Sequence, residues 1–361
     1  MNLVITIDTE EDDWGVFRRT GHRCVNIERI PFLQEVFDRY AVKPTYLVTY
    51  PVATDPKAVS VLGGLLDKGK CEIGSHCHPW NTPPFEEKTG VFTSMLCNLP
   101  QDLQYRKLEA LHAAIFKSFG TEPRSFRAGR WGFGKSVAEN LLKLDYCVDS
   151  SVLPLCDWSL YHGPDYTKQT AEPYLIRGHG RKCLVEVPAT MGFAQRRFRL
   201  CRRIITACRA YYLQGLHIPG LLKRLGLITP VSLSPEESDG RDMARLSRAC
   251  AANGYKCLNM WLHSTSLLPG LSPFVPDEAA CGRLLSRISR FLDHAAEEGM
   301  GSQSLSAAGS ALRAELDARP EQSDRGPWSP AAGECPQGGE TATRQAGSSR
   351  PGICPKGPAW R

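Results

Sequence analysis

Two short stretches of this chain gather the side chains that hydrolytic metal chemistry uses. The first, Asp8-Thr9-Glu10-Glu11-Asp12-Asp13, follows directly on Leu3-Val4-Ile5-Thr6-Ile7. Carboxylates delivered by a β-rich run are costly to bury beside one another unless a cation compensates them. The second, His76-Cys77-His78, closes the run Cys71-Glu72-Ile73-Gly74 and offers two imidazoles, the side chains that zinc-like ions take most often. Alternation along an extended segment puts His76 and His78 on one side and Cys77 on the other, which argues against Cys77 as a soft third ligand. One carboxylate and two imidazoles leave a zinc-like ion an open position for water, whose pKa falls toward ~7. The carboxylate left over can take a proton from that water, and a histidine from the far side can protonate a departing amine. His263, at the end of Cys257-Leu258-Asn259-Met260-Trp261-Leu262, is the candidate acid. The chemistry is hydrolysis.

The elements that must position these groups alternate between short β-rich runs and amphipathic stretches of helical period, the pattern of a mostly parallel sheet wrapped by helices. Strands are expected at Leu3 to Ile7, Thr45 to Val48, Cys71 to Gly74, Ser125 to Ala128, Cys147 to Asp149, Leu184 to Val187 and Cys257 to Leu262. Helices are expected at Ile27 to Tyr40, Pro56 to Lys68, Leu103 to Phe119, Lys135 to Leu144, Arg241 to Ala252 and Asp277 to Ala296, with Gly120 as the stop of the third. The architecture they imply is a closed or nearly closed β/α barrel, in which chemistry sits where strands end. Asp8 and Glu10 follow the first strand, His76 and His78 the third, Arg127 and Asp149 later ones and His263 the last, so one mouth can hold them all.

Composition narrows the function classes. A net charge of +6 over 361 residues, with no basic stripe interleaved with aromatics through the body of the chain, argues against nucleic acid as a partner. No apolar run reaches the ~20 residues of a membrane-spanning helix. The start meets Asp8 too early to supply a signal peptide, and a cytoplasmic protein is expected. Without export, and with no C-x-x-C, the 14 cysteines read as mostly reduced thiols.

Two segments stand apart. Residues 195–230 form a basic helical insertion carrying Arg196, Arg197, Arg199, Arg202, Arg203, Arg209, Lys223 and Arg224 among many leucines and aromatics. It reads as an inserted helical pair with a solvated basic face, or as a peripheral contact with an anionic membrane that would suit a lipid-linked sugar. Residues 316–361 turn to Gly, Pro, Ser and Arg and are expected to be a disordered tail.

At this point the motifs resemble those of the polysaccharide deacetylases, the NodB-homology or carbohydrate esterase family 4 proteins. Thr6-Ile7-Asp8-Thr9-Glu10 is similar to the first motif of that family in a D-x-E form, and Glu72-Ile73-Gly74-Ser75-His76 to the second. Arg127-Ala128-Gly129-Arg130-Trp131 resembles the third, Asp149-Ser150-Ser151 the fourth and Trp261-Leu262-His263 the fifth. The resemblance covers roughly residues 1–299. It implies a distorted (β/α) barrel in which Asp8 is the base, Glu10, His76 and His78 hold a divalent ion such as Zn²⁺ or Co²⁺, Arg127 orients Asp8, and Asp149 supports His263 as the acid. The implied activity is removal of N-acetyl groups from an amino sugar or glycan intermediate.

The second histidine departs from the family pattern. The family spaces its pair four residues apart, whereas His78 follows His76 at two, with Trp80 at the usual position. Either His78 binds from a differently shaped turn, the reading favoured here, or the site has lost a ligand. Two rivals stay open: a related amide hydrolase acting on a cyclic imide or ureide, since D-x-E forms occur there too, and, from the histidine spacing, a metal-poor relative that only binds glycan. Trp80, Trp131 and Trp261 either face a sugar ring or pack in the core.

Overall fold

The computed structural model describes residues 1–178, 180, 182–208 and 218–318. Its first half runs β1 (Asn2–Thr9), α1 (Ile30–Arg39), β2 (Thr45–Val48), α2 (Tyr50–Thr54), α3 (Pro56–Asp67), β3 (Glu72–Cys77), α4 (Gln101–Phe119), β4 (Ser125–Ala128), α5 (Lys135–Lys143) and β5 (Val148–Asp149). The second half adds β6 (Tyr174–Arg177), β7 (Cys183–Glu186), β8 (Met191–Phe193), α6 (Phe198–Cys208), α7 (Ile218–Arg224), β9 (Pro230–Ser232), α8 (Gly240–Ala252), β10 (Cys257–His263), α9 (Glu278–Glu297), β11 (Gly301–Ser302) and α10 (Leu305–Asp317).

The main sheet has the order β10-β1-β2-β3-β4-β5-β7-β6, with β11 beside β1, and every pairing is parallel except that of β6 with β7. The expected barrel is thus curled but not closed by a ladder. Where a closing strand would lie, the segment after β7 makes the antiparallel β8-β9 pair and touches β10 through isolated bonds. The Thr190 N–H donates to Asn259 O at 3.0 Å, and the Trp261 N–H donates to Leu233 O at 3.2 Å.

Register fixes which side chains enter the barrel, because paired residues on neighbouring strands share a face. Asp8 pairs with His263 and Leu47, Thr6 with Trp261, Val4 with Asn259, and His76 with Arg127. These residues line the inside. The bottom is plugged by α10, whose Leu305, Ala308, Leu312 and Leu316 pack with Val4, Val148 and Val185. Each Leu or Val among them, withdrawn from water, stabilises the fold by roughly 1.5–3 kcal/mol. Gly309 lets α10 lie flat on β5, since a Cβ there would meet Val148 Cγ2 at 2.0 Å.

Helices α1, α4, α5, α8 and α9 cover the outside, and the expected core faces are the ones buried. In α9, for example, Leu284, Ile288, Phe291 and Leu292 are buried at the helical repeat. The helix expected from Ile27 opens instead as a 3-10 turn, Val25–Arg29, before α1. Pro31 at the first α turn has no N–H to donate and its ring excludes helix on its N-terminal side. Strand β6 and helix α10 were not anticipated. The first is a four-residue edge strand, and the second carries its apolar face among Ser, Ala and Gly.

The basic segment contains helices α6 and α7, with residues 209–217, including Arg209, outside the described set. Helix α6 buries Cys201, Ile205 and Cys208, while Leu200, Leu221, Leu225 and Leu227 stay exposed. No helix among the described residues is long and apolar enough to cross a membrane. No disulfide links the cysteines among the described residues. The tail expected over 316–361 lies outside the described residues beyond Ala318, and its first residues finish α10.

Candidate active site

Three buried groups from two segments meet at the mouth. Glu10 follows β1, His76 sits near the end of β3, and His78 comes one residue past it. Glu10 Oε1 is 3.0 Å from His76 Nε2 and 3.3 Å from His78 Nε2, and the two Nε2 atoms are 3.1 Å apart. Donors bound tetrahedrally to a zinc-sized ion at ~2.0–2.2 Å stand roughly 3.3 Å from one another, so the spacing suits that ion.

The tautomers suit it too. The His76 Nδ1–H donates to the Arg127 carbonyl at 3.0 Å, which leaves a lone pair on Nε2 in the neutral ring. Glu11 Oε1 lies 3.5 Å from His78 Nδ1. Glu11 is itself fixed by Asn81 Nδ2 at 2.7 Å and Thr49 Oγ1 at 2.9 Å. Two ring nitrogens and a carboxylate oxygen thus converge with too few hydrogens to satisfy them, and a cation resolves the conflict. Without such a cation the alternative is a proton on His78, and the charges favour it. Burial pushes the Glu10 carboxyl up, but His78 and His76 outweigh it and hold it well below the ordinary carboxylate range. Burial lowers the His78 imidazole, yet Glu10 and Glu11 bring it up to about 10.

Cys77 faces the opposite side, as alternation required. Among the described residues its sulfur reaches only Thr82 Oγ1, at 3.9 Å, and burial pushes the thiol up to about 12.

Beside the triad stands a second pair. Asp8 Oδ1 accepts from Arg127 Nη1 at 2.6 Å, and Asp8 Oδ2 lies 3.8 Å from His263 Nε2. Arg127 is fully buried, and its remaining donors go to Ser150 O at 2.8 Å, Thr6 Oγ1 at 2.7 Å and Ser150 Oγ at 2.8 Å. Burial would keep the His263 ring neutral, but Glu236, Glu10 and Asp8 hold it protonated up to about 9. Glu10 belongs to both groups. Its ligand atoms lie within 4.8 Å of those of His76 and His78, and also within 4.8 Å of those of Asp8 and His263.

Comparison with solved structures places this architecture. The chain superposes on a protein assigned as a glycoside hydrolase/deacetylase from Parabacteroides distasonis with a TM-score of 0.54 and 13% identity, over 87% of this chain and 71% of that one. It superposes on a protein assigned as a polysaccharide deacetylase from Pseudomonas aeruginosa PAO1 with a TM-score of 0.50 and 11% identity, over 87% and 91% of the two chains. The chain has the polysaccharide deacetylase fold. No protein-family model and no curated protein sequence matches it.

Within this deacetylase fold one expected partnership is absent. Asp149 does not hold His263. It pairs in register with Phe126 on β4 and Glu186 on β7, the face opposite to that of Arg127 and His76. There Asp149 accepts from Ser151 Oγ at 2.6 Å and from the Ser151 N–H at 3.2 Å. Burial and the neighbouring Asp149 push Glu186 well above the ordinary carboxylate range. The side chain at His263 Nδ1 is Glu236, at 2.9 Å. Its signal in the sequence was slight: Ser-Pro-Glu-Glu after a strand of three residues has no period to announce it.

The aromatic residues divide in two. Trp80, Trp131 and Trp261 are all buried. Trp80 stacks on the His78 ring at 4.2 Å, and Trp131 meets Trp261 edge-on at 5.2 Å with the Arg127 guanidinium 5.3 Å from its ring centre. They shape the site from behind. Partly exposed Trp14, which the sequence reading passed over, meets His263 edge-on at 4.7 Å, and Phe274 lies parallel to that ring at 6.4 Å.

The unusual histidine spacing has a structural basis. His78 turns inward over Gly129, where a Cβ would stand 2.3 Å from its Cδ2. The loop beyond is pinned by Lys107 Nζ, which donates to Pro79 O at 2.9 Å, Thr82 O at 2.7 Å and Pro84 O at 2.7 Å. A buried ammonium with three carbonyls and Glu87 at 3.1 Å makes the short turn rigid.

Proposed function

We propose that this chain is a metal-dependent hydrolase that removes N-acetyl groups from an amino sugar or glycan intermediate. One observation carries the reading: an ion-binding triad and a carboxylate-imidazole pair share Glu10 in one small volume at the mouth of a deacetylase fold. Glu10, His76 and His78 would hold the ion, which when bound supplies a Lewis acid for the acetamide oxygen and a water of lowered pKa.

The remaining steps belong to the side chains. Arg127 occupies Asp8 Oδ1, leaving Oδ2 turned toward the reacting volume to take the proton of the attacking water. His263 Nε2, 3.8 Å from that oxygen, gives its proton to the departing nitrogen. Trp14 and Phe274 flank His263 and form one apolar wall for the sugar.

The test is acetate release from nucleotide-linked, lipid-linked and polymeric N-acetyl sugars, with and without chelator. Release that chelator abolishes and Zn²⁺ or Co²⁺ restores, with one ion per chain, is the expected result. A chain that binds no ion and releases no acetate is a glycan-binding relative at most. Turnover of a cyclic ureide in place of acetate release moves the assignment to another amide hydrolase.

A peripheral contact with an anionic bilayer through α6 and α7 accompanies this reading. Its support is the set Leu200, Leu221, Leu225 and Leu227, exposed beside exposed Arg196, Arg197, Arg199, Arg203 and Arg224. Co-sedimentation with phosphatidylserine vesicles is expected to fall at least tenfold in L221E/L225E, while neutral phosphatidylcholine vesicles recover little of either protein. Equal recovery of both proteins on both vesicles would remove the contact.

A further inference from the structure

We infer that Glu236, in the loop after β9, is the positioning residue for His263, and that Asp149 takes no part in that task. The inference rests on His263 being the acid of the proposed reaction.

The grip of Glu236 on this histidine has two points. Its Oε2 accepts from the ring Nδ1–H at 2.9 Å, and its Oε1 accepts from the backbone N–H of the same residue at 3.1 Å. A third bond, from Ser266 Oγ to Oε1 at 2.5 Å, fixes the carboxylate in turn, and Ser272 Oγ lies 2.9 Å from Ser266 Oγ. The Glu236 side chain is fully shielded from solvent. A carboxylate held by three donors and touching ring and backbone of one histidine determines both tautomer and ring angle. Nδ1 keeps its proton throughout, so the second proton of the ring, the one that can be given up, sits on Nε2 facing Asp8 Oδ2 across the mouth.

The route by which Glu236 arrives explains why it, and not Asp149, does this. Leu233 bonds to Trp261 and Glu236 to His263, so the segment after β9 runs alongside β10 and fills the place where the sheet fails to close. It delivers a carboxylate level with the last residue of β10. Strand β5 carries Asp149 on its outer face, where Ser151 already engages it and Glu186 is its register partner on β7. Turning Asp149 inward would require shifting β5 by one residue, which would also expel Val148 from its packing against α10.

The experiment compares full-length wild type, E236Q, E236D and D149N, using acetate release from N,N′-diacetylchitobiose, ion content and the histidine Nδ1–H signals in proton-nitrogen NMR. In E236Q the amide can offer its N–H where a carboxylate should accept. A fall in kcat on the order of 10²-fold is expected, with KM within about threefold and ion content unchanged. The hydrogen-bonded Nδ1–H signal of His263, assigned by its loss in H263Q, should disappear in E236Q and return in E236D with part of the rate. D149N, when folded, should keep kcat within about threefold and retain the signal.

The opposite pattern, with rate and signal kept in E236Q and lost in D149N, overturns the inference. Should the wild type release no acetate, the deacetylase reading loses that support while the NMR comparison still decides which carboxylate holds the ring.

Discussion

Replacing Asp8 with Asn is expected to lower kcat/KM for acetate release by about 10³-fold while leaving the bound ion in place. Asn is nearly isosteric, and its carbonyl can still accept from Arg127 Nη1, which reaches Asp8 Oδ1 at 2.6 Å in the native chain. The atom that changes character is the one facing the mouth. Oδ2 becomes an NH₂ that has no basic lone pair and presents hydrogens toward His263 Nε2, 3.8 Å away. Proton removal from the attacking water then has no acceptor, whereas Glu10, His76 and His78 keep their geometry.

His76→Ala is the contrasting control, because it removes a donor from the triad and should abolish both rate and stoichiometric ion binding. Steady-state rates paired with metal analysis on the same samples separate the two losses. A D8N protein that keeps its ion and retains more than a tenth of the wild-type rate would show that Asp8 is not the base.

The contrast between these substitutions also shows what a sequence can disclose. Asp8, Glu10, His76, Arg127 and His263 were legible because each sits at the end of a strand whose apolar residues announce it, and register then assembles them. His78 was legible as a residue but not as a conformation. Its inward turn depends on Gly129 beneath the ring and on Lys107 pinning the loop from α4, contacts between segments that no local pattern encodes. Asp149 shows the limit of motif resemblance, since a side chain's face depends on register to a single residue, and its pairing with Phe126 sends it outward. Glu236 went unseen for the complementary reason. Its position follows from the sheet staying open, and openness is a property of the whole barrel. Helix α10 belongs with it, because a plug for the barrel floor is needed only once the curl of the sheet has created a floor.

The largest expected loss of stability comes from Arg127→Met. The substitution keeps much of the side chain's length but removes every donor from a guanidinium that is fully buried and bonded to Asp8, Thr6 and both the carbonyl and hydroxyl of Ser150. Asp8 would then be a buried carboxylate with no cation on Oδ1. The hydroxyls of Thr6 and Ser150, already tied to Asn259 at 3.0 and 2.8 Å, would each lose a donor. Breaking one side of a buried ion pair costs about 3–5 kcal/mol, so Tm should drop by on the order of 10 °C.

Most of that cost is the stranded charge, and the double variant R127M/D8N tests this directly. With the carboxylate replaced by an amide, the penalty of the Met should shrink by at least 2 kcal/mol, a coupling that urea unfolding of the two single variants and the double would resolve. Additive losses would mean that Arg127 acts chiefly through Ser150 and Thr6, as a brace across the barrel. Because Asp8 is the proposed base, the same coupling bears on chemistry: an Asp8 left without Arg127 is expected to swing out of line, where it cannot serve the attacking water. The polar layer that stabilises the barrel interior is therefore also the layer that holds the reaction's base at the mouth.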